Sequence, residues 1–290
     1  MISKTVLITG ANGQLGSDLA LEFMANGYTV ISFTHVLADI TNFAKMREII
    51  DIHKPQIVIN AAAYHNVDLC EANPDKAMEV NFLAPENLAK ICAEKFIQFI
   101  HFSTDYVFDG EKNSPYIESD EAKPLNEYGK SKLAGEKAIL EANPNALILR
   151  VSALYGVRPC RAKNGLNFVQ LMLKKASENA DLKVVSDEFV SPTSTESIAK
   201  ITPHLAEINL HGIVHLTSEG SCSWYEFAKE IFSYSGLNPS LSEAKSSDFP
   251  GKTPRPKYSV LENARLKSIE TMQMPDWKSS LHHYLNQIKN

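Results

Sequence analysis

Cysteine is scarce in this 290-residue chain: Cys70, Cys92, Cys160 and Cys222 stand far apart, with no Cys-x-x-Cys pair. Such spacing builds neither a disulfide framework nor a zinc site, and reduced thiols in the cytoplasm are expected. No apolar run reaches the about 18 residues that a membrane span needs. The N-terminal apolar stretch is short and runs straight into Gly10, so a secretory signal, with its longer apolar region and small-residue cleavage site, is not expected. A cationic surface is missing too. The chain carries 29 Lys and Arg against 34 Asp and Glu, a net charge of −5, which leaves no electrostatic footprint for nucleic acid. Internal repeats and low-complexity tracts are absent. At 44% hydrophobic and 22% charged the composition is that of an ordinary globular protein, which excludes disorder and coiled coil.

What is present is a rhythm. Short β-branched runs at 5–9, 29–33, 56–60, 98–102 and 146–150 read as buried strands. Stretches of helical spacing lie between them at 14–26, 43–53, 74–95 and 128–141. Strands alternating with helices predict a Rossmann-type, doubly wound α/β fold with a parallel sheet of right-handed βαβ units. After Arg150 the rhythm loosens. Helices are expected at 166–179, 195–207, 223–235 and 277–289, with strands at 183–186 and 212–217. The expected division is a dinucleotide-binding domain over 1–152 and a smaller mixed α/β substrate-binding domain over 153–290, parts of which can return to the first sheet. One connection is unusually long: 25 residues, 103–127, separate the fourth strand from the next helix. In a compact domain such loops are usually binding loops or lids, and this one leaves the carboxyl end of a parallel strand, where open sheets bind ligands.

Thr9-Gly10-Ala11-Asn12-Gly13-Gln14-Leu15-Gly16 follows the first strand directly. Gly10 suits a tight turn, Gly13 a close approach of backbone to a pyrophosphate, and Gly16 packing of the helix on the strand. The pyrophosphate then sits at a helix N-terminus, where unpaired N–H groups favour negative charge. NAD-selecting folds place an acid at the end of the second strand for the ribose 2′-hydroxyl. Here Phe33-Thr34-His35 occupies that place and the first acid is Asp39. NADPH, or both NADPH and NADH, is the expected cofactor. The small residues Ala61, Ala62 and Ala63 after the third strand let backbone lie against it, and Asn81 is a candidate for holding that backbone.

Tyr128-Gly129-Lys130-Ser131-Lys132 spells Tyr-x-x-x-Lys at a helix start, which puts both side chains on one face. A free phenol has a pKa of about 10. The Lys132 ammonium is expected to lower that of Tyr128 and to bond the nicotinamide ribose, making Tyr128 the proton donor. Upstream, Ser103-Thr104-Asp105-Tyr106 leaves the fourth strand. The Thr104 hydroxyl either polarises a substrate carbonyl or is satisfied by its own turn.

These motifs resemble the dTDP-4-dehydrorhamnose reductase family of the extended short-chain dehydrogenase/reductase superfamily. The resemblance rests on the glycine turn at 10–16, Asn-Ala-Ala-Ala-Tyr at 60–64, Ser-Thr-Asp-Tyr-Val-Phe-Asp-Gly at 103–110 and Tyr-Gly-Lys-Ser-Lys-Leu-Ala-Gly-Glu at 128–136. It continues through Asn167-Phe168-Val169, Ser191-Pro192-Thr193, 223–228 and Pro254-Arg255-Pro256, and so covers essentially the whole chain. It implies NAD(P)H-dependent reduction of a dTDP-linked 4-keto-6-deoxyhexose in the cytoplasm. Thr104, Asp105, Tyr128 and Lys132 would be catalytic. Gly10, Asn12, Gly13, Gln14, Leu15, Gly16, Asp39, Ile40, Ala61, Ala62, Ala63, Tyr128 and Lys132 would bind the cofactor, Asp39 and Ile40 lying beside the adenine. Thr104, Asp105, Tyr106, Ala153, Asn167, Phe168 and Arg255 would face the substrate. Related dehydratases carry Asp-Glu after the threonine; Asp105-Tyr106 stands here, which disfavours dehydration.

The chain also departs from the pattern. Ala153 stands where the family has a tryptophan thought to pack on the sugar, which leaves the sugar's identity open. The 155–165 loop is basic, with Arg158, Arg161 and Lys163 as candidates for the nucleotide diphosphate. Leu15 stands where a magnesium-binding acid would be expected, so no metal is expected. Trp224, Tyr225 and Phe227 read as core or interface. Two other readings stay open: an NADP-binding regulatory subunit resembling the methionine adenosyltransferase β subunit, and a ketoreductase for another nucleotide deoxysugar. The oligomeric state is not set by the sequence, though the resemblance allows a homodimer.

Overall fold

A computed structural model of the chain describes residues 3–160, 165–269 and 272–289. The first half alternates strictly: β1 (Thr5–Thr9), α1 (Gln14–Ala25), β2 (Thr29–Phe33), α2 (Phe43–His53), β3 (Ile57–Asn60), α3 (Val67–Ala72), α4 (Pro74–Met78), α5 (Ala84–Glu94), β4 (Gln98–Thr104), α6 (Glu127–Ala142) and β5 (Leu147–Val151). Beyond it come β6 (Leu154–Tyr155), α7 (Phe168–Ser177), β7 (Leu182–Val185), β8 (Phe189–Val190), β9 (Thr193–Ser194), α8 (Thr195–Glu207), β10 (Gly212–His215), β11 (Cys222–Ser223), α9 (Trp224–Ser235), β12 (Leu241–Ala244), α10 (Ala264–Lys267) and α11 (Trp277–Lys289).

Six parallel strands form the main sheet in the order β10-β5-β4-β3-β1-β2. The fold is therefore the doubly wound α/β architecture that the alternation implies. β3, β4 and β5 are buried along almost their whole length because helices cover both faces of the sheet. Alternate residues divide between the two faces. Val6, Ile8, Ile57 and Ile59 meet α1 and α8 through Leu19, Phe23 and Ile198. Leu7, Val58, Phe99 and Ile148 meet α2, α5 and α6 through Ile49, Leu88 and Ile139.

The strand order reverses at β1, which runs to β2 on one side and lies against β3 on the other. A crevice is left at the carboxyl ends of these strands, the switch point at which open sheets bind ligands. The glycine turn leaves β1 there, and Ala61–Ala63 leaves β3. The chain past Val151 builds a second core from Tyr155, Val169, Phe227, Ile231, Trp277, Leu281 and Tyr284. It also comes back: α8 packs on α1, and β10 becomes the outer strand beside β5.

Two expectations change in detail. The single helix read over 74–95 is interrupted by a wider π turn at Glu79–Leu83, between α4 and α5. Gly135 of α6 packs on the Asn81 carbonyl there, where an added Cβ would lie 2.2 Å from the oxygen. The 103–127 connection is also not a free lid. Phe108 and Tyr116 stack at 4.2 Å, Tyr116 bonds Val260 and Glu262 through its backbone, and Asn126 donates to the Pro254 carbonyl at 2.8 Å. The connection thus ties the sheet to the second half of the chain. Among the described residues no helix is long and apolar enough to cross a membrane.

Candidate active site

The crevice opens into a cleft of about 600 Å³. At one end the glycine turn is built by sterics. Gly10 has φ of +68°, and a Cβ there would meet Ala61 and Ala62 backbone at 2.7–2.8 Å. A Cβ on Gly16 would lie 2.3 Å from the Gly10 carbonyl oxygen. Gly13 is the N-cap of α1 and supplies no side-chain cap, so the first N–H groups of the helix suit an anion. These features fit a dinucleotide pyrophosphate. Asn12, Leu15, Asp39, Ile40 and the strip Ala61, Ala62 and Ala63 line the same end. Asp39 is already held: its carboxylate accepts from Thr41 N and Oγ1 at 2.9 and 2.8 Å and lies 3.7 Å from His35. Gln14 lines the cleft while its amide donates to the Gly156 carbonyl at 2.9 Å, bracing the turn against the second half of the chain.

The chemical centre lies where α6 meets the end of β4. Asn126 caps α6 by accepting from Gly129 N at 2.9 Å. At Gly129 a Cβ would be 2.2 Å from the Tyr106 carbonyl, so only glycine lets the first helical turn approach the Asp105–Val107 turn this closely. Tyr128 is thereby brought to the same part of the cleft as Thr104, and its ring meets Tyr106 edge-on at 5.8 Å. The Thr104 hydroxyl accepts from Tyr106 N at 3.2 Å and donates to the Asp105 carboxylate at 3.1 Å, so its own turn holds it.

Burial pushes the Tyr128 phenol above its ordinary value, with the neighbouring Thr104 hydroxyl opposing. This reverses the direction expected from the Tyr-x-x-x-Lys spacing, for a physical reason. The Lys132 amine does not bond the phenol; it donates to the Phe102 carbonyl at 2.7 Å and contacts His101 Nε2 at 2.9 Å. At 1% exposure Lys132 is itself desolvated, which brings its pKa down to about 8.

Asp105 lines the cleft, but hydroxyls hold its carboxylate: Ser259 at 2.6 Å and Ser152 at 2.9 Å on one oxygen, Thr104 at 3.1 Å on the other. Burial raises its pKa to about 6 despite these donors. The group joins β4, the residue after β5, and the 258–260 segment.

At the far end stand Tyr106, Ala153, Asn167 and Phe168. Ala153 adopts φ of +45°, unusual for a residue with a Cβ. Asn167 caps α7 and spends its amide on the Gly156 carbonyl and the Tyr284 hydroxyl. Arg255 stands in a neighbouring pocket of about 320 Å³ with Glu188, Lys252 and Lys257, close enough to Tyr106 of the cleft to act on its hydroxyl. Arg161 and Lys163 fall outside the described residues, and Arg158 is close enough to Asp18 to act on its carboxyl. His282 and His283 each meet a carboxylate, Glu230 and Glu196.

Sequence reasoning missed part of the lining. Trp224 and Phe227, read as core, also line the cleft, and Trp224 packs at 4.7 Å on Phe168. Helical spacing marked them as inward-facing without saying that the inside included a cavity. His101, read only as part of a strand, stands behind Lys132.

The comparisons agree with this geometry. Residues 4–290 match the family model described as the RmlD substrate binding domain. The spore coat polysaccharide biosynthesis protein SpsK of Bacillus subtilis is 38% identical over 97% of both chains. A solved dTDP-4-dehydrorhamnose reductase from Clostridium acetobutylicum is 37% identical, with a TM-score of 0.94 over 99% of this chain and 100% of that one. The Bacillus anthracis reductase, solved in complex with NADP, is 35% identical with a TM-score of 0.93 over the same shares. With its fold, its glycine turn and its Thr104–Tyr128–Lys132 group in one cleft, the chain belongs to the dTDP-4-dehydrorhamnose reductase family of NAD(P)H-dependent sugar-nucleotide reductases.

Proposed function

We propose that the chain reduces the 4-keto group of a dTDP-linked 6-deoxyhexose, converting dTDP-4-dehydrorhamnose to dTDP-L-rhamnose, with Tyr128 as proton donor. The observation that carries this reading is the placement of Thr104, Tyr128 and Lys132 along the same cleft as the glycine turn. Bound NADPH or NADH supplies the hydride. The chain does the rest. Gly10 and Gly16 let the turn close, Gly13 leaves room for the pyrophosphate, Asp39 and Ile40 flank the adenine, and Lys132 meets the nicotinamide ribose. Thr104 orients the carbonyl oxygen, and Tyr128 gives its proton to the oxygen as negative charge develops there. Burial by itself makes this phenol a weaker acid, and a Lys132 ammonium nearby offsets that by favouring the phenolate.

NADPH is the preferred cofactor in this reading, because no acid stands at 33–35 to bond a ribose 2′-hydroxyl. A second sugar is favoured by one observation: Ala153 leaves sugar packing to Phe168 and Trp224, which form an aromatic wall in the cleft. The intact Thr104–Tyr128–Lys132 group opposes a purely regulatory role.

The test is turnover of dTDP-4-dehydrorhamnose with NADPH and NADH side by side, with the product identified by NMR. Loss of NADPH absorbance with formation of dTDP-L-rhamnose is expected. Tight cofactor binding without turnover would overturn the reading. A KM favouring NADH by about tenfold would overturn the cofactor preference alone.

A further inference from the structure

We infer that His101 and Asn60 hold Lys132 as a neutral amine in the free protein, so that binding the dinucleotide is coupled to uptake of one proton at Lys132 Nζ. The inference rests on the reading that Lys132 bonds the cofactor.

Hydrogen-bond polarity carries it. Thr9, Asn60, His101 and Lys132 are all 0–1% exposed and form one continuous chain. Ala62 N lies 3.2 Å from Asn60 Oδ1, and a backbone N–H can only donate, so the amide oxygen must face it. Thr9 Oγ1 donates to the same oxygen at 2.6 Å. The Asn60 amide nitrogen therefore faces His101 Nδ1 at 3.1 Å. That nitrogen also only donates, so Nδ1 must present its lone pair. The one proton of the neutral imidazole then sits on Nε2, pointing at Lys132 Nζ 2.9 Å away. Only an amine lone pair can accept it. An ammonium at this place would set two donors against each other in a fully buried contact. The amine keeps one N–H for the Phe102 carbonyl at 2.7 Å.

The remaining surroundings agree. From β4 Lys132 meets His101. Along its own helix it has Tyr128 one turn before and Glu136 one turn after. Glu136 favours the ammonium, but its own carboxylate is gripped by Arg150 of β5 at 2.6 and 2.9 Å. Burial holds the His101 ring well below the ordinary imidazole range, so it stays neutral.

A dinucleotide brings two phosphate charges and ribose hydroxyls, which reward an ammonium. The proton comes from solvent, one N–H bond forms at Nζ, and nothing is oxidised. Once charged, Nζ must leave His101 Nε2–H and turn to the cleft. His101 is a positioning residue in this scheme. It touches no substrate, and it keeps Lys132 stored until the cofactor arrives. Cofactor affinity should then fall with rising pH above about 8, by up to about tenfold per pH unit.

Two measurements test this. In ¹⁵N NMR of the cofactor-free protein at about pH 9, His101 should show a protonated Nε2 and an unprotonated Nδ1; the opposite tautomer or an imidazolium would overturn the inference without any substitution. NADPH titration calorimetry at about pH 8.5, in buffers of different ionisation enthalpy, should show proton uptake by the native protein. His101→Gln offers an oxygen that accepts from an ammonium, so its uptake should vanish and the pH dependence of Kd should flatten. Equal uptake in native protein and His101→Gln would overturn the coupling. Lys132→Met separates the underlying reading: NADPH affinity equal to native would remove Lys132 as a cofactor ligand and with it the coupling, while the His101 tautomer stood.

Discussion

The Asn81 side chain is bonded on both sides to the backbone of Tyr64. Its Oδ1 accepts the Tyr64 N–H at 2.9 Å, and its Nδ2 donates to the Tyr64 carbonyl at 2.8 Å and to Ser131 Oγ at 3.1 Å. One buried amide thus joins the π turn, the strip after β3 and the helix that carries Tyr128 and Lys132. Asn81→Ala should cost about 1–3 kcal/mol of stability and raise the KM for cofactor, because the Ala61–Ala63 strip loses its anchor. Urea melts and a KM series check this; an unchanged KM at lowered stability would reduce Asn81 to a structural bond.

Tyr128→Phe removes one hydroxyl and keeps the ring that meets Tyr106 edge-on. It should fold normally, bind NADPH within a few-fold of native, and lose about 10²–10⁴ in kcat. Steady-state rates beside equilibrium NADPH binding separate these effects. Native kcat would remove Tyr128 as the acid.

Asp105 makes stability depend on pH. Its pKa in the fold is about 6, above the unfolded value of about 3.9. Between those values the folded chain binds a proton that the unfolded chain releases. The contribution is present in full below about pH 4 and is lost as pH rises through about 6, an amount of about 2–3 kcal/mol. Asp105→Asn should lack this loss, so the stability difference between the two proteins should move in the variant's favour from pH 4 to 7.5. Urea midpoints at the two ends read it; a constant difference would contradict the raised pKa.

Glu136 and Arg150 form a bidentate pair at 1% and 3% exposure, with the guanidinium 5.0 Å from the Phe108 ring. Removing only one partner leaves a buried charge, so Glu136→Leu should cost about 3–5 kcal/mol. The double variant Glu136→Leu/Arg150→Met should recover most of that. A double variant no more stable than the single one would mean that packing, rather than charge, is what the pair provides.

The three glycines of the turn should separate fold from function. A Cβ at Gly13 lies 3.3 Å from the Gly10 carbonyl, and Gly13 has φ of −80°, so Gly13→Ala should fold within about 1 kcal/mol of native. Its methyl group should still weaken NADPH binding about tenfold or more by blocking the approach of the pyrophosphate. Gly16→Ala, at 2.3 Å from the same carbonyl, should instead lower stability by about 1–3 kcal/mol or more. Thermal melts and NADPH Kd for the two variants should rank in opposite order.

The β/α alternation and the two local motifs were legible because each is a matter of near neighbours. A glycine turn, a helix cap and an i,i+4 pair are set within a few residues of backbone geometry. Strands buried on both faces announce themselves as apolar runs. The π turn was not legible, since nothing in the spacing over 74–95 separates a widened turn from a regular one.

What the sequence by itself determined is which side chains the site can use and the order in which strands deliver them to one edge of the sheet. Only the tertiary structure decided what those side chains touch. Ser259 reaches Asp105 across 154 positions, and His101 reaches Lys132 across 31. Those contacts set three hydroxyls on the Asp105 carboxylate and an imidazole beside the Lys132 amine. The reason is dielectric as much as geometric: burial sets the charge state of a group, and burial belongs to the packed chain rather than to any stretch of it.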